Sequence, residues 1–286
     1  MTNTIGNPLS WGARVLGLAG HDLAEVAQEL GGRTQVAPII QRIGPADLRA
    51  ALRLGFADFG ALRTDVIVIG LLYPIVGTVL IYAAIHSNIL PLVFPLLAGF
   101  MLVGPAAAVG LYEMSRRREA GLAVSWADGL AVIRSPRIGV IAVLAVALFM
   151  VFFMWMVTAH LIFQVTMGPD LPASLGGFLG DVLGTRAGWA MMAIGIPVGF
   201  VFAAVTLAVS VVAFPLLIDR PVGLPVAVLT SLRVTAKNPD TVALWGLIIA
   251  VAMVLGTLPI LLGLAGVLPV LGHASWHLYR RVVAFR

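Results

Sequence analysis

The chain has 286 residues, 60% of them hydrophobic and only 11% charged, with a formal net charge of +5. Soluble domains average about 25% charged residues, so this is a membrane-protein composition, and no nucleic-acid-binding fold accompanies the basic excess. Cysteine is absent, which excludes disulfides, thiolate metal sites and cysteine nucleophiles together.

The N-terminal region, 1–44, reads as a polar cytoplasmic tail preceding a membrane domain over 45–286. Within it Leu16, Leu23, Val26, Ala27 and Leu30 recur at helical spacing, and Gly31-Gly32 ends that patch. No basic-then-apolar segment with a small-residue cleavage site precedes it, so a secretory signal peptide is not expected. After Gly44-Pro45, the residues Leu48, Leu52, Phe56 and Phe59 form a second stripe with Arg49 and Arg53 off it. That profile suits an interfacial helix lying in the membrane plane, or a helix capping the bundle in water.

About 20 apolar residues cross ~30 Å of hydrocarbon. On that ruler the chain reads as an all-α, polytopic transmembrane helical bundle of six spans, about 66–85, 89–112, 138–165, 189–218, 242–262 and 265–279. The third is long enough to tilt or project, and prolines interrupt the second and fourth. Only Gly263 and Gly266 separate the last two, so charge decides the count. Six spans put seventeen of the eighteen basic residues on one side, with Arg186 the exception. By the positive-inside bias both termini are then cytoplasmic, in a bacterial inner membrane. Three segments on that side, 47–65, 121–137 and 223–240, read as versions of one amphipathic unit leading into a span. The last two close on Ser135-Pro136 and Asn238-Pro239, an N-cap followed by a first-turn proline.

No Asp, Glu, Lys or Arg lies well inside an expected span, which argues against a proton pump, an ion-coupled carrier or a voltage sensor. His86 and His160 fall near the outer ends of spans one and three, where two imidazoles could bind haem or simply meet water. His273 and His277 stand four apart on one helix face, a chelating spacing. No acid lies near them in sequence, and Trp276 and Tyr279 suggest an aromatic belt instead. Gly195, Gly199 and Ala203 make a small-residue ridge for helix packing or homo-oligomer contact. Glu113 with Arg116, Arg117 and Arg118 reads as a patch for anionic headgroups or for a membrane-protein partner. Thr206, Ser210 and the proline kinks could line a cavity for a neutral or apolar solute. Hydrolase, phosphate-loop and zinc-protease motifs are missing, so neither an enzyme nor a cofactor is expected.

The runs Phe94-Pro-Leu-Leu-Ala-Gly-Phe, Gly104-Pro, Gly110-Leu-Tyr-Glu-Met-Ser-Arg-Arg-Arg-Glu and Gly272-His-Ala-Ser-Trp-His-Leu-Tyr-Arg resemble a bacterial inner-membrane family. That family is classed as a domain of unknown function, and its members are sometimes auto-named cytochrome c oxidase subunit I. The resemblance spans about residues 45–283 and implies an integral membrane protein without assigned activity. The oxidase label fails on the residues. Five histidines, one of them His21 in the tail, and six spans cannot hold two haems and a copper. The expectation is therefore a structural or interaction component of the membrane. A transporter or channel for a neutral solute and a haem-binding or respiratory-complex-associated protein are the alternatives.

Overall fold

The computed structural model describes residues 38–86, 90–170, 172, 174–259 and 261–285; the expected tail helix around Leu16–Leu30 lies outside them. Twelve α-helices occur among these residues: α1 (Pro45–Ala61), α2 (Arg63–His86), α3 (Val93–Ala107), α4 (Val109–Glu119), α5 (Trp126–Leu130), α6 (Ile138–Met167), α7 (Leu175–Gly184), α8 (Arg186–Ser210), α9 (Ala213–Asp219), α10 (Leu224–Lys237), α11 (Pro239–Thr257) and α12 (Leu264–Val282). Two short strands, β1 (Ile39–Ile40) and β2 (Val283–Ala284), pair antiparallel, with Ile39 opposite Ala284 and Ile40 opposite Val283.

Local chemistry sets the helix ends. The Asp47 carboxylate accepts the Gly44 amide at 3.0 Å and Pro45 fills the first turn of α1. Ser174 and Thr185 cap α7 and α8 by accepting the amides of Gly177 and Gly188. α6 runs 30 residues without an internal proline and stops at Gly168, whose φ of 91° excludes a further helical residue. Its length, about 45 Å at 1.5 Å per residue, exceeds the hydrocarbon thickness as expected.

Proline places the breaks. Pro105 cannot donate to the carbonyl of residue 101 and crowds it, and the stretch Leu90–Gly99 is bent by 41° from Met101–Ala107. Pro215 crowds Val211 in the same way, and α8 ends at Ser210 before α9 resumes at Ala213. α8 passes through Pro197 unbroken.

Three stretches among the described residues are long and apolar enough to cross a membrane: α6, the α8–α9 run Arg186–Asp219, and α11. The bent pair around α3 makes a fourth if it is one broken span. α6 presents Val146, Phe149, Met150, Phe153, Val157 and Leu161 outward in one stripe, and α8 and α11 do likewise with Ile196, Phe200, Leu247, Val251 and Val254. Apolar faces of this extent are stable against lipid rather than water. Gly70–Ala83 in α2 and the whole of α7 are shorter apolar helices. α7 was not foreseen; it packs Phe178 and Val182 against Phe163 and Leu90.

α12, where the sixth span is expected, is not among these long apolar stretches. Its C-terminal half carries His273, Ser275, His277, Arg280 and Arg281, and eleven of its nineteen residues are buried. Trp276 and Tyr279 are buried as well, so they form no lipid-facing aromatic belt. α1 lies antiparallel beside α12, with Asp47 pairing with Arg281, Gly55 against Val270 and Ala274, and the Asp58 carboxylate reaching His277. A Cβ at Gly55 would sit 2.7 Å from the Ala274 amide nitrogen, so the two backbones touch there. The face α1 buries is Leu48, Ala51, Gly55 and Asp58, while Phe56 points outward.

The main core gathers at this same end. α9 is buried on every side, Phe214, Leu216 and Leu217 packing with Leu111, Met114, Trp245, Trp276 and Tyr279. The three expected repeat units fold differently: a 17-residue helix, a five-residue helix with a 3-10 turn, and a 14-residue helix. Asn238 does not cap α11 with its side chain. Its Oδ1 accepts the Ile43 amide at 2.9 Å and its Nδ2 donates to the Gln41 carbonyl, while Thr241 donates to the Ile43 carbonyl. The segment before α1 is thereby strapped to the α10–α11 junction.

Candidate functional site

The functional residues converge on α4, an eleven-residue helix with two polar faces. Ser115 and Arg118, three apart, face α1 and α12; Glu113, Arg116 and Arg117 face a cleft at the start of α6.

The inner face centres on Asp58, 3% exposed. Its Oδ2 accepts the Ser115 hydroxyl at 2.6 Å and His277 Nε2–H at 2.9 Å, and its Oδ1 accepts Arg118. His273 Nδ1 lies 2.7 Å from the same Ser115 oxygen. Because Ser115 donates its only proton to Asp58, it must accept from His273, which assigns the proton to Nδ1. The result is a relay from His273 through Ser115 to a carboxylate that is also held by His277 and Arg118. His273 Nε2 is buried with no hydrogen-bond partner among the described residues. Burial alone would raise the Asp58 pKa, but hydrogen bonds from His277 and Ser115 and the charge of the histidines outweigh it, leaving the carboxyl below its ordinary value.

This grouping alters the expectation for His273 and His277. An acid does stand beside them, 219 positions from His277 in sequence, and it occupies the ring nitrogen that a metal would use. Among the described residues no group of three or more His, Cys, Asp or Glu is arranged to hold a metal. The Ser–His–Asp composition is not a hydrolytic triad: Ser115 and His273 have no solvent exposure, so a substrate carbonyl could not reach the hydroxyl.

On the outer face, Glu113 Oε1 and Oε2 accept from Arg116 Nη2 and Nε, each at 2.7 Å, and Oε1 also accepts Arg117 Nε at 2.9 Å. The i+3 and i+4 spacing allows both arginines to reach one carboxylate. Arg117 also donates to Asp128 at 2.6 Å. Burial would raise the Glu113 pKa, but the two guanidinium groups hold it below the usual carboxylate range. These side chains border a cleft of about 360 Å³ completed by Arg134, Ser135, Arg137 and Asp219. Arg137 donates to the Ile218 carbonyl across it. Three of the four expected patch residues thus meet at the cleft, while Arg118 turns inward.

Further pairs brace this end. Glu119 accepts Trp276 Nε1–H at 2.9 Å and Arg280 Nε–H at 3.0 Å, and Asp219 accepts the Tyr279 hydroxyl at 2.7 Å.

The remaining candidates lie elsewhere. His86 is exposed, stacked on Tyr82, with Nδ1 2.8 Å from the Tyr82 carbonyl; His160 pairs with Gln164 at 2.9 Å. Each finds its partner on its own helix. On α8, Gly199 packs against the Trp155 ring, a Cβ there lying 3.0 Å from it, whereas Gly195 faces open space and Ala203 is exposed. Thr206 and Ser210 are buried, Ser210 donating to the Thr206 carbonyl at 2.6 Å while Ser231 of α10 covers the turn.

Neither a curated protein nor a solved structure matches the chain. The family match runs from α3 to α9, narrower than the resemblance read from sequence; it contains every residue bordering the cleft and omits Asp58, His273 and His277. Over residues 93–219 the chain matches the model of a family described as a predicted integral membrane protein (DUF2189), a family of unknown function.

Proposed function

We propose that this protein is a non-catalytic component of the bacterial cytoplasmic membrane that works through its arginine-rich end. In this reading it crosses the bilayer six times with both termini in the cytoplasm, and the end built on α1, α4, α9 and α12 engages anionic headgroups and a membrane-protein partner or second copy. One observation carries the reading. Ion pairs and charge-assisted hydrogen bonds cross-link four helices at one end, while α6, α8 and α11 leave wide apolar faces to lipid. A braced polar platform on a lipid-embedded bundle suits docking, because its groups are preorganised and the Ser115 hydroxyl within it is sealed from solvent. The packing around Thr206 and Ser210 supports this over solute transport, and the local partners of His86 and His160 support it over haem binding.

Purification of the full chain in native-lipid particles, read by mass spectrometry and visible absorption, tests the proposal. Recovery of a reproducible membrane protein together with anionic lipid is expected. A Soret band lost on replacing His86 or His160, or recovery of the chain with neither partner nor anionic lipid, would refute it. A reporter placing Arg116–Arg118 in the periplasm would overturn the orientation.

A further inference from the structure

The cleft between α4 and the start of α6 has the chemistry of a site for one particular group. Four guanidinium groups, of Arg116, Arg117, Arg134 and Arg137, border it against two carboxylates, of Glu113 and Asp219, a surplus of two positive charges. Glu113 holds Arg116 and Arg117 in fixed orientations, so little side-chain freedom remains to be lost on binding. Arg134 has no ion pair or hydrogen bond among the described residues. The first turn of the 30-residue α6 opens onto the same space and adds the positive end of its dipole. The walls are also placed at a lipid boundary. Trp126, Leu130 and Ile133, directly before Arg134, are exposed, and the outward stripe of α6 begins at Val143, two residues beyond Ile141 of the cleft wall.

We infer that this cleft binds a phosphoester anion, with Arg134 as the free contact, and that the ligand is the headgroup phosphate of an anionic phospholipid whose acyl chains lie along α6. The inference deepens the docking reading above and rests on it, since that reading places this end at the membrane surface. Forked guanidinium donors match tetrahedral phosphate oxygens, and a volume of about 360 Å³ admits a phosphate with its glyceryl ester.

The test is native mass spectrometry of the full chain in mild detergent, titrated with phosphatidylglycerol or with phosphatidylcholine, with inorganic phosphate as competitor. Three proteins are compared: wild type, Arg134→Ala, and Arg49→Ala. The last loses the same charge from the exposed side of α1, outside the cleft. Wild type should retain phosphatidylglycerol over phosphatidylcholine. Arg134→Ala should weaken that retention roughly tenfold, the size of one charge-assisted hydrogen bond, and Arg49→Ala should change it less than twofold. Both Arg134 and Arg49 are exposed, and neither is paired among the described residues, so both variants should fold. Displacement by millimolar inorganic phosphate would identify a soluble phosphoester as an equal source; resistance to it would assign the lipid. Equal losses in the two variants would overturn the cleft while leaving the arginine-rich end as a docking face. Absence of any preference for anionic lipid would overturn both.

Discussion

Replacing Asp58 with alanine should unlock α1 from the bundle. The carboxylate accepts from Ser115, His277 and Arg118. Arg118 keeps 39% of its side chain in contact with surroundings outside the protein and can turn to water, so its loss is discounted. Ser115 is fully buried and the His277 side chain is 12% exposed, so both would be left without an acceptor. Each orphaned buried donor costs about 1–3 kcal/mol, so the two together cost about 2–6 kcal/mol. Asp58→Asn keeps one acceptor oxygen and should cost roughly half as much. The assay is reversible unfolding in mixed micelles of mild detergent and dodecyl sulfate, followed by tryptophan fluorescence, with the His277→Ala and double variants completing a cycle. Strong non-additivity between positions 58 and 277 is expected. An Asp58→Ala protein within about 0.5 kcal/mol of wild type would refute the view that this carboxylate is the lock.

Other outcomes follow from the same contacts. The depressed Asp58 pKa stabilises the fold above the unfolded carboxyl value of about 4 and is lost as pH falls through the folded value, so wild type should weaken in acid and Asp58→Asn should lose part of that slope. Gly55→Ala should cost about 1–3 kcal/mol, because its Cβ would press on the Ala274 and Val270 backbone; Gly195→Ala, in open space on a helix, should be neutral or stabilising by up to about 1 kcal/mol. The same unfolding assay separates the two. Asn238→Ala should free the strap before α1, seen as faster amide exchange at Ile43.

The all-α character and the long apolar helices in the middle of the chain were legible. α6 begins at Ile138 as read, and its excess length and polar flanks follow from hydropathy alone. The site was less so, for a physical reason. The stripe of α1 was sought among its large residues, Leu48, Leu52, Phe56 and Phe59. In a lipid-embedded protein bulk is no guide to the interior, since acyl chains solvate a phenylalanine as well as a core does. The buried face is set instead by Ala51 and Gly55, which permit close approach, and Asp58 lies on the same helical face. An acid on the small-residue face of an amphipathic helix was the available signal. Its union with Ser115, His273 and His277 depends on tertiary contact across most of the chain, which spacing does not encode. Arg117 and Arg118, adjacent in sequence, diverge to different faces of α4 for the ordinary reason that neighbours on a helix stand 100° apart.

The two-rung pairing of β1 with β2 has a topological result. Residues 39–40 and 283–284 are stitched side by side, so everything between them forms a closed loop. Under the proposed reading, a loop that leaves one compartment and returns to it makes an even number of passages. On the proposed membrane reading, probes placed beside residues 39 and 284 of the folded protein should therefore report the same compartment.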